Sequence, residues 1–106
     1  MKWVNELGVG PFFLTDYTPG TFEKITYRGE PSDLSMKVAI AQAGNVQIEL
    51  IEPTTDQCAY RDSVPKGQMA FHHMCVWTLD FEADLKYMES LNYAAANTGK
   101  VGGIEF

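Results

Sequence analysis

A short apolar stretch with two adjacent histidines, AFHHMCVWT at Ala70–Thr78, is the part of the sequence that decides the fold prediction. His72 and His73 are the only histidines of the chain. The aromatic and branched residues around them predict a β-strand, in which successive side chains point to opposite faces of a sheet. His73 then shares one face with Cys75 and Trp77, while His72 lies on the other face.

A second apolar stretch, NVQIELIE at Asn45–Glu52, shows the same alternation. Gln47 and Glu49 fall on one face of the predicted strand, and three aliphatic residues fall on the other. If both strands join one sheet with their apolar faces on the same side, His73 and Glu49 meet on the opposite face. An imidazole and a carboxylate on a concave surface are what a divalent metal or a proton-transfer site requires.

Each candidate also has an ordinary structural interpretation. His73 is compatible with a strand histidine that is hydrogen-bonded in the interior, and Glu49 with a solvated carboxylate on an outward face. Gln47 either lines the concave surface that Glu49 shares with His73 or substitutes as a weaker metal ligand. Cys75 and Trp77 either line an apolar ligand pocket on the face of His73 or simply pack.

Composition limits the functional classes. The 106 residues predict one domain, and 45% hydrophobic residues with 12% aromatics are typical of a folded globular protein. A net charge of −6 without a basic cluster argues against nucleic-acid binding. No apolar run is long enough to span a membrane, and the N-terminus does not resemble a signal peptide. Cys58 and Cys75 lack the spacing of paired metal ligands and predict reduced thiols in a cytoplasmic protein.

The remaining patterns give an order of elements. We expect a short helix at Lys2–Leu7, then strands, a connector at 54–69 containing one helical turn, and a helix that starts after Asp80 as N-cap, with an apolar face. The glycine-containing link between 42 and 46 predicts an antiparallel hairpin. The predicted strands are Pro11–Tyr17, Phe22–Tyr27, Leu34–Gln42, Asn45–Glu52, Ala70–Thr78, Tyr93–Asn97 and Gly102–Phe106, with a turn at Thr98–Lys100 between the last two.

Several segments together resemble a known family. They are LGVGPFF at Leu7–Phe13, TYRGEPSDL at Thr26–Leu34, QAGNVQIELIEP at Gln42–Pro53, and AFHHMCVWTLDFEADLKYMESLNY at Ala70–Tyr93. In this order they resemble the vicinal oxygen chelate superfamily, which includes glyoxalase I, extradiol dioxygenases and bleomycin-resistance proteins. The closest resemblance is to uncharacterised glyoxalase-like members.

The resemblance implies an α+β fold of paired βαβββ modules that form a curved mixed sheet. Module one is residues 1–53 without its first strand, module two is residues 70–106 without its last strand, and residues 54–69 connect them. Family metal ligands lie on the first and last strands of both modules. Glu49 and His73 match two of these ligands, and the other two would lie before Met1 and after Phe106. We therefore expect a fragment or a homodimer that covers the open edges.

The functional expectation follows from the resemblance. It implies a metal-dependent isomerase, lyase or epimerase for a small carbonyl or thioester substrate, with Glu49 as ligand and proton-transfer group. The divalent metal is Zn, Ni, Co, Mn, Mg or Fe. The alternatives are a non-enzymatic module that binds a small molecule, as resistance-type members do, and a truncated inactive relative.

Overall fold

The computed structural model describes residues 2–106 and confirms the predicted α+β class. The described chain contains short helices and two separate antiparallel sheets. The helices are α1 (Lys2–Asn5), α2 (Ala59–Ser63) and α3 (Phe81–Ser90), and a 3₁₀ turn spans Pro19–Thr21. The strands are β1 (Phe13–Tyr17), β2 (Glu23–Tyr27), β3 (Glu30–Pro31), β4 (Met36–Ala43), β5 (Val46–Pro53), β6 (Asn97–Val101) and β7 (Ile104–Glu105).

The first sheet has the order β1-β4-β5 and contains the predicted hairpin. β4 and β5 pair along their whole length, from Met36 opposite Pro53 to Ala43 opposite Val46. Gly44 has a φ of 65°, which a glycine adopts without steric cost in the connecting turn. The hairpin prediction is therefore confirmed, and β5 is an edge strand of this sheet.

The second sheet has the order β3-β2-β6-β7, and its last hairpin differs from the prediction. Residues 98–100, predicted as a turn, lie inside β6, and the stretch 93–96, predicted as a strand, is not one. The turn falls instead at Gly102 and Gly103, whose φ values of 56° and 82° suit a tight hairpin connection. Two consecutive glycines tolerate these left-handed conformations, so the turn forms there.

The hydrophobic core forms where the two sheets meet. Leu34, Val38 and Cys58 are essentially inaccessible to solvent at its centre. Phe22, Ile25 and Met36 complete the buried cluster. Half-buried side chains from both sheets and from α2 pack around it: Tyr17, Ile40, Ile51, Tyr60, Val101 and Phe106.

The predicted strand at Ala70–Thr78 is wrong in the described structure. Residues 70–77 have no regular secondary structure, and no described strand pairs with them. Alternating side chains reveal a segment that suits a sheet, but a strand exists only when a neighbouring backbone supplies its hydrogen bonds. Because the segment lacks such a neighbour, His73 and Glu49 do not lie on adjacent positions of one sheet.

The predicted helix after Asp80 is confirmed as α3. The Asp80 side chain accepts a hydrogen bond from the Ala83 backbone N–H at 3.0 Å, which satisfies one of the free donors of the first turn. The predicted apolar face is only partly covered, because Phe81 and Leu85 are half-buried whereas Met88 and Leu91 are exposed. The helix therefore keeps part of its apolar surface in contact with solvent.

Candidate functional site

Helix α2 places Tyr60 between the two sheets. The backbone N–H of Ala59 donates to Asn97 Oδ1 at 2.6 Å, and Asn97 Nδ2 donates to the Thr26 carbonyl at 2.8 Å. These bonds tie the start of α2 to β2 and β6. On the other side, Arg61 Nη2 donates to the Pro53 carbonyl at 2.9 Å, at the end of β5. The position of Tyr60 is thus fixed by contacts with both sheets.

Both histidines pack against the ring of Tyr60. The centroid of this ring lies 5.2 Å from that of His72 and 5.8 Å from that of His73. His72 is half-buried, while His73 is exposed. Aromatic contacts therefore hold the start of residues 70–77 on the body of the protein.

Hydrogen bonds determine which nitrogen of each histidine carries a proton. His72 Nε2 lies 3.1 Å from the Ala59 carbonyl, and because a carbonyl can only accept, Nε2 is the donor. The neutral His72 ring then has Nδ1 as its acceptor. His73 Nδ1 lies 2.8 Å from that atom and donates to it. Nε2 of His73 is left with a lone pair, which is the form that a base or a metal ligand needs.

The charge of Glu49, on β5, acts on the same tyrosine. Glu49 lies opposite Ile40, on the sheet face through which Val38 and Ile51 enter the core, but its own side chain is exposed. Burial is the largest cause that raises the pKa of Tyr60 to about 12, and the negative charge of Glu49 and the nearby Cys58 thiol act in the same direction. Glu49 and His73 are therefore both near Tyr60, although they belong to different parts of the chain.

The other predicted site residues are exposed in the described structure. Gln47 lies opposite Gln42 near the tip of the hairpin. Cys75 and Trp77 lie within residues 70–77, where 84% of Trp77 is accessible to solvent. They do not close a hollow around Glu49. An open concavity of about 380 Å³ lies elsewhere, between the end of β1 and the start of β4.

The sequence as a whole matches a known protein family. A family model described as the Glyoxalase/Bleomycin resistance protein/Dioxygenase superfamily matches residues 1–105. The chain belongs to this superfamily. Neither the search of curated proteins nor the search of solved structures gives a match. The membership agrees with the resemblance inferred from the residues and with the α+β architecture.

Members of the glyoxalase superfamily often bind divalent metals, commonly bind small molecules and commonly form dimers. The donors near Tyr60 test whether a metal fits this chain. Among residues 2–106, no three His, Cys, Asp or Glu side chains are grouped so that they could hold a metal ion. One imidazole and one carboxylate are too few protein ligands for a secure divalent site. A single chain of this superfamily member therefore provides too few ligands near Tyr60 to hold a divalent metal by itself.

Sequence reasoning missed the role of Tyr60 and an exposed polar cluster beside it in this superfamily member. Tyr27 donates from its hydroxyl to Asp62 Oδ1 at 2.5 Å, and Arg28 Nη2 lies 3.2 Å from the same oxygen. The hydrogen bond from Tyr27 is the largest cause that lowers the pKa of Asp62, and the charge of Arg28 acts in the same direction. The only feature of the sequence that pointed to Tyr60 was the helical turn, with its aromatic residue, predicted inside the polar connector at 54–69.

Within residues 2–106, no helix combines the length and the apolar character that crossing a lipid bilayer requires.

Proposed function

We propose that this protein is a glyoxalase-type isomerase, lyase or epimerase that acts on a small carbonyl or thioester substrate. The observation that supports this proposal is that Glu49 and His73 both act on Tyr60. The carboxylate acts on the pKa of Tyr60, and the imidazole packs on its ring. The site thereby combines a base (Glu49), an acceptor nitrogen (His73 Nε2) and a neutral phenol (Tyr60).

The chemistry follows from the three groups. Glu49 is an exposed carboxylate and takes a proton from the carbon next to the substrate carbonyl. Negative charge then develops on the carbonyl oxygen. Tyr60 remains a neutral O–H donor at pH 7, since its pKa is about 12, and a donor of this kind stabilises such an oxygen. The same Glu49 returns the proton to the neighbouring carbon in isomerisation, whereas epimerisation needs a second acid on the opposite face of the substrate to supply the proton.

A metal ion requires more donors than one chain supplies. We therefore propose a homodimer, in which donors of a second chain join Glu49 and His73 around a divalent ion. When bound, such an ion would polarise the substrate oxygen as a Lewis acid. The free lone pair on His73 Nε2 supports this role, because coordination needs an unprotonated nitrogen.

Metal content and proton exchange test the proposal together. Protein purified without chelator is analysed for metal, and small α-hydroxycarbonyl compounds and acyl thioesters are incubated with it in D₂O. We expect deuterium uptake next to the carbonyl, lost in Glu49→Ala and strongly reduced in His73→Ala. Glu52→Ala is the matched control, because Glu52 is on the same strand but the opposite face. Uptake that survives Glu49→Ala would disprove the role of this carboxylate.

Exposed aromatic residues support a second candidate function. Phe71 and Trp77 flank the histidines and are largely accessible to solvent, so they offer flat surfaces on which an aromatic ligand can stack. On this alternative, the protein binds a small apolar molecule without converting it. Quenching of Trp77 fluorescence by a planar aromatic probe, in protein that takes up no deuterium, would favour the binding module over the enzyme.

The two cysteines support the proposal of a cytoplasmic protein. Both are free thiols, and Cys75 is exposed. Exposed thiols persist in reducing compartments such as the cytoplasm.

A further inference from the structure

We propose that residues 69–79, here named the exposed segment, add as a β-strand to the free edge of β5 in a second copy of this chain. The inference rests on the proposed pairing of two chains, but it does not depend on a metal ion. It names the segment and the strand that meet at the interface.

The exposed segment is as apolar as a buried β-strand, yet its side chains are accessible to solvent. Val76 and Trp77 are each 84% accessible, and Leu79 is fully accessible. Met69, Phe71 and Met74 are similarly exposed. Six large apolar side chains are thus exposed within eleven residues, a density that soluble proteins normally cover with a partner.

β5 is the longest free edge that the described chain offers. β5 has eight residues, whereas the other edge strands are β1 with five and β3 and β7 with two each. An edge strand exposes a row of unpaired N–H and C=O groups that can pair with another extended backbone. Because an added strand gains hydrogen bonds in proportion to its length, β5 is the best acceptor.

Charge favours this pairing over the alternatives. β5 contains Glu49 and Glu52 and no basic residue. The exposed segment contains both histidines of the chain and no acidic residue, and it lies in the longest stretch without Asp or Glu, residues 63–79. Two copies with a net charge of −6 repel each other, so contact through an acid-free segment costs least. The segment and the edge are therefore electrostatically compatible.

The position of the exposed segment allows two copies of the chain to exchange their segments with each other. His73 of the exposed segment packs on Tyr60, on which the charge of Glu49 in β5 also acts, yet the segment leaves its own β5 unpaired. When two copies exchange their segments, each β5 edge gains a strand and both apolar stretches are covered. Such an arrangement closes with two-fold symmetry and does not propagate into a fibre.

Analytical ultracentrifugation of matched lysine variants tests the inference. Val76→Lys and Leu14→Lys replace aliphatic residues of almost equal exposure, 84% and 81%, on the exposed segment and on β1 respectively. All samples contain EDTA, so that metal binding does not contribute. We expect a wild-type dimer, at least a tenfold weaker dimer for Val76→Lys, and no change for Leu14→Lys.

The outcomes separate this inference from the proposed pairing and chemistry. A wild-type monomer in EDTA would overturn the inference, whereas the metal-bridged pairing would be overturned only by a monomer in the presence of the metal, and the deuterium-exchange result for Glu49 would be unaffected. A dimer that is unchanged in Val76→Lys would overturn the inference and leave the pairing intact. An equal loss in Leu14→Lys would also overturn it, since the β1 surface would then be involved.

Cross-linking between different chains gives a second measurement. Wild-type protein with its exposed Cys75 is mixed with a tagged Gln47→Cys/Cys75→Ser variant, and a short bis-maleimide is added. We expect a covalent tagged-untagged dimer. The control pairs wild type with Leu14→Cys/Cys75→Ser and is expected to give little product. Equal yields in both mixtures would contradict addition at the β5 edge.

Discussion

His72 and His73 share one hydrogen bond between their Nδ1 atoms, at 2.8 Å, although they are consecutive residues. The Ala59 carbonyl, 3.1 Å from His72 Nε2, decides the direction of that bond. Two adjacent rings are thereby placed in different tautomers. The outer nitrogen of His73 is the one that can act on a ligand.

The tautomers can be observed directly by NMR. In ¹⁵N-labelled protein at pH 8, we expect His72 to carry its proton on Nε2 and His73 to carry its proton on Nδ1. Replacing His72 with Phe removes the acceptor, and His73 should then shift towards the Nε2–H form that is common for free histidine. Identical tautomers for both rings in the wild type would contradict the hydrogen-bond assignment.

The proximity of Glu49 to Tyr60 predicts a measurable change in titration. Tyr60 should lose its proton at about pH 12, well above its ordinary value of 10.0. In Glu49→Gln this pKa should decrease, because one source of negative charge is gone, but it should stay above 10.0 since burial remains the larger cause. Ultraviolet absorbance of the tyrosinate measures the change, and Glu52→Gln should leave the curve in place.

The raised pKa of Tyr60 also makes the stability of the folded protein depend on pH. Because the folded state holds the Tyr60 proton more tightly than the unfolded chain, this contribution to stability is complete below pH 10 and decreases as the pH rises towards 12. Urea unfolding at pH 9 and at higher pH should show the decrease in wild type. A Tyr60→Phe variant with the same slope would show that other groups cause it.

Asn97 is predicted to be essential for attaching α2. Its side chain makes hydrogen bonds of 2.6 Å and 2.8 Å to the backbone of Ala59 and Thr26, and Asn97→Ala removes both bonds. We expect a loss of about 1–3 kcal/mol in the free energy of unfolding. Since α2 carries Tyr60, the histidine tautomers should also change. Asn5→Ala, at an exposed position of α1, serves as the control.

Gly99 is predicted to tolerate no side chain. A Cβ at this position would lie 2.7 Å from Phe106 Cζ and 2.8 Å from Ile25 Cδ1. Its φ is ordinary, so crowding is the only obstacle, and Gly99→Ala should cost about 1–3 kcal/mol of stability. Gly20→Ala is the matched control, because a Cβ added there would meet nothing within 4 Å. Equal effects of the two substitutions, measured by urea unfolding, would contradict the crowding.

Local patterns predicted the parts of the fold that depend on neighbours in the sequence. The β4-β5 hairpin and the Asp80 cap are set by residues within a few positions, and both were predicted correctly. Gly99 was misread as a turn residue, because its contact with Phe106 exists only after β6 and β7 have folded. The strand at Ala70–Thr78 was predicted from alternation, but alternation contains no information about a partner.

The candidate site was predicted only in part for the same reason. Glu49 and His73 were selected by residue type and alternation, and the structure brings both near Tyr60. Their assignment as metal ligands and Glu49 as a catalytic residue stays a prediction, as does the division into two modules. Tyr60 was missed because its importance arises from the three-dimensional contacts of α2, which no local pattern encodes.

The different environments of the two cysteines make the protein a convenient subject for thiol labelling. Cys58 is completely shielded from solvent, whereas Cys75 is exposed. A fluorescent maleimide should therefore attach to one position in the native state and report on the surroundings of the exposed segment. Appearance of a second label would register global opening of the molecule, so a single reagent would follow local and global motions on separate timescales.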